Sequence, residues 1–253
     1  MFKNNKINKL QYFFFVFILS LLFEGYYCKY SSQRTNLEGS ICYKYFKNFW
    51  GETGFVETIQ VLLILSALLI SIFLTFKFKN NIEKIFKCII SICLFYYFGE
   101  EISWGQHYLE FQSPDFFIKT NNQKEFNLHN ISNLLDQLPR SIVFILCGFS
   151  PIFVMFYEKL YKKKLIYRKW ILPDNSLIYV SIVLLIVTLP DFFNDKLDLE
   201  LYNHSVSIWG IHLGNQIYEL LTFNYIRLSE LQELIFTFYF FYYMNSLRKW
   251  SAH

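Results

Sequence analysis

Six apolar runs divide the chain, near residues 10–23, 56–76, 85–99, 141–157, 177–193 and 234–246, with charged or turn-rich stretches between them. Each core holds about 14–21 residues, and with its aromatic flanks most reach the roughly 17–25 that a helix needs to cross a bilayer. In hydrocarbon the backbone must satisfy its own hydrogen bonds, so segments of this kind are helices. At 54% hydrophobic and 21% aromatic residues, a soluble fold of 253 residues would have far more apolar surface than it could cover. The expected fold is all-α, a polytopic membrane helix bundle of about six transmembrane helices with extra amphipathic helices in the extracytoplasmic loops. It forms one integral membrane domain over 1–253, with spans near 10–27, 55–76, 82–100, 140–157, 176–193 and 229–247.

The first and last runs are the shortest candidates. Lys3, Lys6 and Lys9 precede the first, as they would in a signal peptide, but bulky aromatics follow its core where cleavage favours small residues. The five cysteines show no metal-ligand spacing. Cys88, Cys93 and Cys147 fall inside spans and read as packing residues, whereas Cys28 and Cys42 share a loop and could pair in an oxidising compartment.

Charge gives the orientation. The segments 1–9, 77–87, 158–174 and 247–253 hold 15 of the 24 Lys and Arg but only Glu83, Glu158 and Asp174 of the 20 acids. Six spans put these segments on one side, so the positive-inside rule predicts that both termini are cytoplasmic. The basic face, including Lys162, Lys163 and Lys164, suits anionic lipid headgroups and shows no pattern for nucleic acid. Membrane lipids are the expected partners.

The other 17 acids, with His107, His129, His204 and His212, lie at the opposite ends of the spans or in the loops there. Asn80 to Glu83 signals the start of the third helix, which should run on through YYFGEEISWGQHYLEF and line up Glu100, Trp104 and His107. Glu57 and Gln60, with Thr53, share a face at the start of the second helix. Asn122, Glu125, His129 and Asn130 crowd the next loop, where a leucine stripe from Leu128 to Leu138 suggests an amphipathic helix over the bundle mouth and Pro139 marks the entry to the fourth span. A helical period also puts His212, Gln216 and Glu219 on one face, and Ser229 with Gln232 reads as a capping box before Glu230 and Glu233. Acids there are also favoured by the helix dipole alone, and Asp191 and Asp195 read as solvated turn residues.

The motifs GEEISWGQ (99–106) and NNQKEFNLHN (121–130), with GETGFVE (51–57), resemble an uncharacterised group of bacterial multi-pass membrane proteins. That pattern runs E-D-G-x-x-E, then G-E-E-x-S-W-G-Q, then N-x-Q-x-E-x-N-L-H-N. The resemblance covers roughly 80 residues and implies roles for Glu52, Gly54, Glu57, Glu100, Glu101, Trp104, Gly105, Gln106, Asn122, Glu125, His129 and Asn130. This chain has Thr53 in place of Asp and His107 in place of Arg, and its last motif is one residue shorter. The resemblance implies no activity. A more distant, fold-level analogy is with alkaline ceramidase-like membrane hydrolases, whose late His-x3-His signature is absent here.

The expected site lies at the extracytoplasmic face. Glu57, Glu100, Glu101, His129 and Glu233 are its candidate catalytic residues, and Trp104, Gln106, Asn122, Glu125 and Asn130 its substrate contacts. Carboxylate and imidazole together suit a divalent metal such as zinc, with Glu101 and His129 as candidate ligands, and a metal-free hydrolase would use a buried Glu as base. The substrate would be a lipid or lipid-linked molecule. A non-catalytic scaffold held by a structural polar network is the alternative. A proton- or cation-coupled transporter fits less well, because no span carries a mid-membrane charge.

Overall fold

The computed structural model describes residues 9–34, 49–50, 54–78, 80–121, 124–161, 175–196, 207–208, 211–212 and 228–251. Apart from one short strand pair, the described residues are helical or connect helices. Six long helices carry it: α1 (Lys9–Arg34), α2 (Phe55–Lys77), α3 (Asn81–Glu101), α6 (Asn133–Tyr161), α7 (Ile178–Lys196) and α8 (Leu228–Trp250). Each overlies one of the six apolar runs. Two short helices, α4 (Gln106–Leu109) and α5 (Asp115–Thr120), and 3-10 turns at Ser103–Gly105, His129–Ile131 and Asn175–Leu177 complete the helical set. Among the described residues α2 and the Leu134–Tyr161 stretch of α6 are long and apolar enough to cross a membrane, and α7 offers a shorter apolar stretch over Ile178–Thr188.

The last helix is the centre of the bundle. Along α8, Leu231, Leu234, Ile235, Phe238, Tyr239, Tyr242, Met244 and Leu247 are all buried, packed chiefly against α2 and then α7. Phe14 of α1 stacks flat on Phe238, with ring centroids 3.6 Å apart. α3 lies along the other side of α2, tied to it by the Ser71–Ser91 hydroxyl pair at 2.8 Å, and α6 packs on α7. Large apolar side chains face outward in turn: Phe13, Leu19 and Phe23 on α1, Leu62 and Phe76 on α2, Ile85 and Ile92 on α3, Phe153 and Leu160 on α6. The central helix is thus buried along most of its length, while the outer helices turn apolar stripes outward.

Helix starts follow side-chain chemistry. Asn80 caps α3, its Oδ1 accepting from the Ile82 amide, as its position predicts. Ser132 does the same for α6, accepting from the Leu135 amide through Oγ and from Asp136 through its carbonyl. That cap corrects the reading of Pro139 as a helix entry. α6 begins at Asn133 and continues through Pro139, so Leu134, Leu135 and Leu138 are its exposed opening turns, not a separate helix over the mouth.

Three further expectations change. α3 ends at Glu101 and does not continue to Phe111, because Ser103, Trp104 and Gly105 take left-handed backbone angles (φ 45°, 51° and 92°). α8 starts at Leu228, which puts Ser229 inside the helix instead of at a cap. His212 is in a two-residue strand, β2 (Ile211–His212), paired antiparallel with β1 (Ser207–Ile208), and not in a helix. Gln216, Glu219, His204, Glu52, Thr53 and the inner lysines 162–164 lie outside the described residues. Cys28 is disulfide-bonded, its expected partner Cys42 lying outside the described residues, and Cys88, Cys93 and Cys147 are free thiols.

Candidate functional site

Glu100 and Glu101 are consecutive on a helix, so their side chains diverge by about 100°. The structure assigns them to two different environments.

Glu100 is buried, and its carboxylate accepts from four donors. Oε1 takes the Trp104 indole N–H at 2.8 Å. Oε2 takes the Leu128 amide at 2.8 Å, the His129 amide at 2.9 Å and the His129 ring, whose Nδ1 stands 3.1 Å away. One carboxylate therefore fastens the loop that leads into α6 to the end of α3. The left-handed run at 103–105 folds Trp104 back over the helix end, where its ring lies against the Gly99 backbone; a Cβ at Gly99 would meet ring carbons at 2.9 Å. Gly99, Glu100, Trp104 and Gly105 form one local unit, which gives the GEEISWG motif a physical reason.

The rest of the loop is tied in the same manner. Gln106 Oε1 accepts from the Phe126 amide at 2.6 Å and from the Ser113 hydroxyl at 3.1 Å. Glu125 Oε2 accepts from Asn127 Nδ2 at 2.6 Å and from the Ser103 hydroxyl at 3.1 Å. Buried Asn121 donates to Asn127 Oδ1 at 2.8 Å and to the Glu125 and Asn127 carbonyls. Of the side chains expected to meet substrate, Trp104 Nε1, Gln106 Oε1 and Glu125 Oε2 are engaged in these ties. Asn130 sits in the 3-10 turn beside His129. Asn122 lies outside the described residues, as does the side chain of His107.

Because His129 Nδ1 faces a carboxylate, the neutral ring carries its proton there and presents Nε2 as an acceptor. The side chain is 36% exposed, so that nitrogen belongs to the half of the pair open to the surface.

Glu101 faces the bundle instead. Glu233, Glu230 and Glu57 are its nearest charges, and the Tyr97 hydroxyl lies alongside its carboxylate but outside good hydrogen-bond geometry. Glu233 pairs with Arg140 at 2.5 Å, and Arg140 also reaches Asp136 at 3.6 Å. Gln60 is fully buried; its Nε2 donates to the Glu230 carbonyl at 2.7 Å, while its Oε1 has no hydrogen-bond partner among the described residues. The sequence reading had Glu57, Gln60, Glu101 and Glu233 but missed Arg140, whose signal is the Asp136-x3-Arg140 helical pair, and Tyr97, one turn before Glu101.

The expected single site is therefore two. Among the described residues no three His, Cys, Asp or Glu side chains converge to hold a metal, and the two candidate ligands, Glu101 and His129, belong to different clusters. Zinc does not fit this donor arrangement. No family model, curated protein or solved structure matches the chain.

Proposed function

We propose that the chain is a multi-pass membrane protein with both termini cytoplasmic, and that His129, oriented by Glu100, acts as general base for hydrolysis of a lipid or lipid-linked substrate at the extracytoplasmic face. The observation that carries this reading is the buried carboxylate on Nδ1. It fixes the tautomer and the ring plane, and it stabilises the imidazolium formed when Nε2 takes a proton from water. Trp104 and the Leu128 and His129 amides hold Glu100 still, so they are positioning groups for the base. Exposed Leu128, Leu134, Leu135, Leu138 and Phe116 around the loop support a site at a lipid interface, as do the apolar outer faces of the helices and the one-sided lysines. The resemblance to bacterial multi-pass membrane proteins agrees with a bacterial inner membrane.

The test is lipid turnover by purified chain in vesicles of mixed lipid, followed by mass spectrometry. Wild type should release product, His129→Ala should lose at least about a hundredfold, and His129→Gln should not recover it. Equal product from wild type and His129→Ala would overturn the reading. The full saturation of Glu100 favours a second reading, a structural tie in a non-catalytic scaffold; in that case His129→Ala lowers stability and no lipid is consumed.

A further inference from the structure

The Glu101 cluster contains two buried polar atoms without a hydrogen-bond partner among the described residues. Gln60 is 0% exposed, yet its Oε1 accepts from no donor among the described residues, although a buried amide oxygen left without a donor costs about 1–3 kcal/mol. The Gln60 amide head is at the cluster, because its other end is bonded to the Glu230 main chain in the first turn of α8, and Glu57 is one turn before it on α2. The Tyr97 hydroxyl is the second such group, buried among Glu101, Glu233 and Arg140. Glu101 stands beside that hydroxyl, with Glu233, Glu230 and Glu57 as like charges around it. Arg140, the cation beside them, is committed to Glu233 and Asp136.

What these groups lack is chemically specific. An amide oxygen and a carboxylate in a field of like charge need hydrogen-bond donors that carry positive charge. All the available donor atoms are oxygen, which excludes the nitrogen and sulfur sets that soft metals select. The carboxylates do not converge on one point, which disfavours a hard metal ion as well. A primary ammonium meets the need, since its three N–H bonds can reach separated acceptors with ordinary lengths. Glu57, Glu101, Glu230 and Glu233 are each partly exposed, so the cluster opens towards the same end of the bundle as the loop.

We propose that Gln60, Tyr97 and Glu101, within the acidic cluster completed by Glu57, Glu230 and Glu233, form a recognition site for a primary ammonium group, supplied either by an aminated lipid headgroup or by a free amine. The site uses side chains separate from the Glu100–His129 pair. Loss of amine binding and loss of lipid turnover are therefore distinguishable failures.

The experiment follows thermal unfolding of the detergent-purified full chain by intrinsic fluorescence in ethanolamine hydrochloride, choline chloride, sodium chloride and calcium chloride at matched ionic strength. Ethanolamine should raise the midpoint in a saturable way, and choline, a cation without N–H donors, should not. Gln60→Leu and Glu101→Gln should each weaken the ethanolamine response about tenfold, the loss of one charge-assisted hydrogen bond. Gln60→Glu should strengthen it, which keeps the test decisive if either of the other variants fails to fold. A second arm compares nanodiscs of phosphatidylethanolamine and phosphatidylcholine. Stabilisation by the former, lost in Gln60→Leu, assigns the lipid headgroup; a response to soluble ethanolamine alone assigns a free amine. Equal responses to choline, a response to calcium only, no response, or a wild-type response in Gln60→Leu would each overturn the proposal.

Discussion

Glu100 and Glu101 share a helix turn and a chemical type, yet their surroundings are opposite. Glu100 has four donors for its two oxygens, all from a single loop and the turn before it. Glu101 has carboxylates for neighbours and the Tyr97 hydroxyl alongside it. A buried charge that is fully paired stabilises the fold that pairs it, whereas a carboxylate among its like opposes the fold that holds it there. The contrast separates a residue kept for structure and positioning from one whose cost to the fold calls for another explanation.

That contrast can be broken by substitution. Glu100→Ala should cost the most, about 3–5 kcal/mol in denaturant unfolding in detergent, because four donors lose their acceptor at once and two of them are main-chain amides. Gly99→Ala comes next, at about 1–3 kcal/mol, since the new Cβ stands where the Trp104 ring packs; if unfolding is unchanged, the ring does not rest on Gly99. Trp104→Phe keeps the ring and removes the N–H, so about 1–2 kcal/mol is expected from a bond to a charged acceptor. Glu101→Gln should have the smallest effect and the opposite sign, between neutral and about 1 kcal/mol stabilising, by removing one charge from a like-charged group. A loss of more than about 2 kcal/mol for Glu101→Gln would erase the distinction between the two acids.

The helices were more legible than the site. Each apolar run lies within a helix, although α1 continues to Arg34 and α6 begins at Asn133, well outside their runs. Asn80 was readable as a cap because the signal is local. The break after Glu101 was not, since GEEISWGQ has helical spacing and only the packing of Trp104 onto Gly99 makes three left-handed residues worth their strain, about 1–2 kcal/mol for each non-glycine. Helical periodicity placed Glu100, Trp104 and His107 in one stripe; Glu100 and Trp104 do meet, but across a turn. Pro139 misled because Ser132 is the stronger start signal. The division of one expected site into two follows from the 100° between adjacent residues, and which of the two faces the loop is decided by long-range packing that no short motif encodes.

Glu100 Oε2 receives both the main-chain amide of His129 and its ring. The two are therefore linked: when the loop lifts from the helix end, the main chain that carries the imidazole leaves the carboxylate with it. Amide hydrogen exchange at Leu128 and His129 becomes a clock for the side chain, reading out by backbone deuteration how often the ring lets go of its carboxylate.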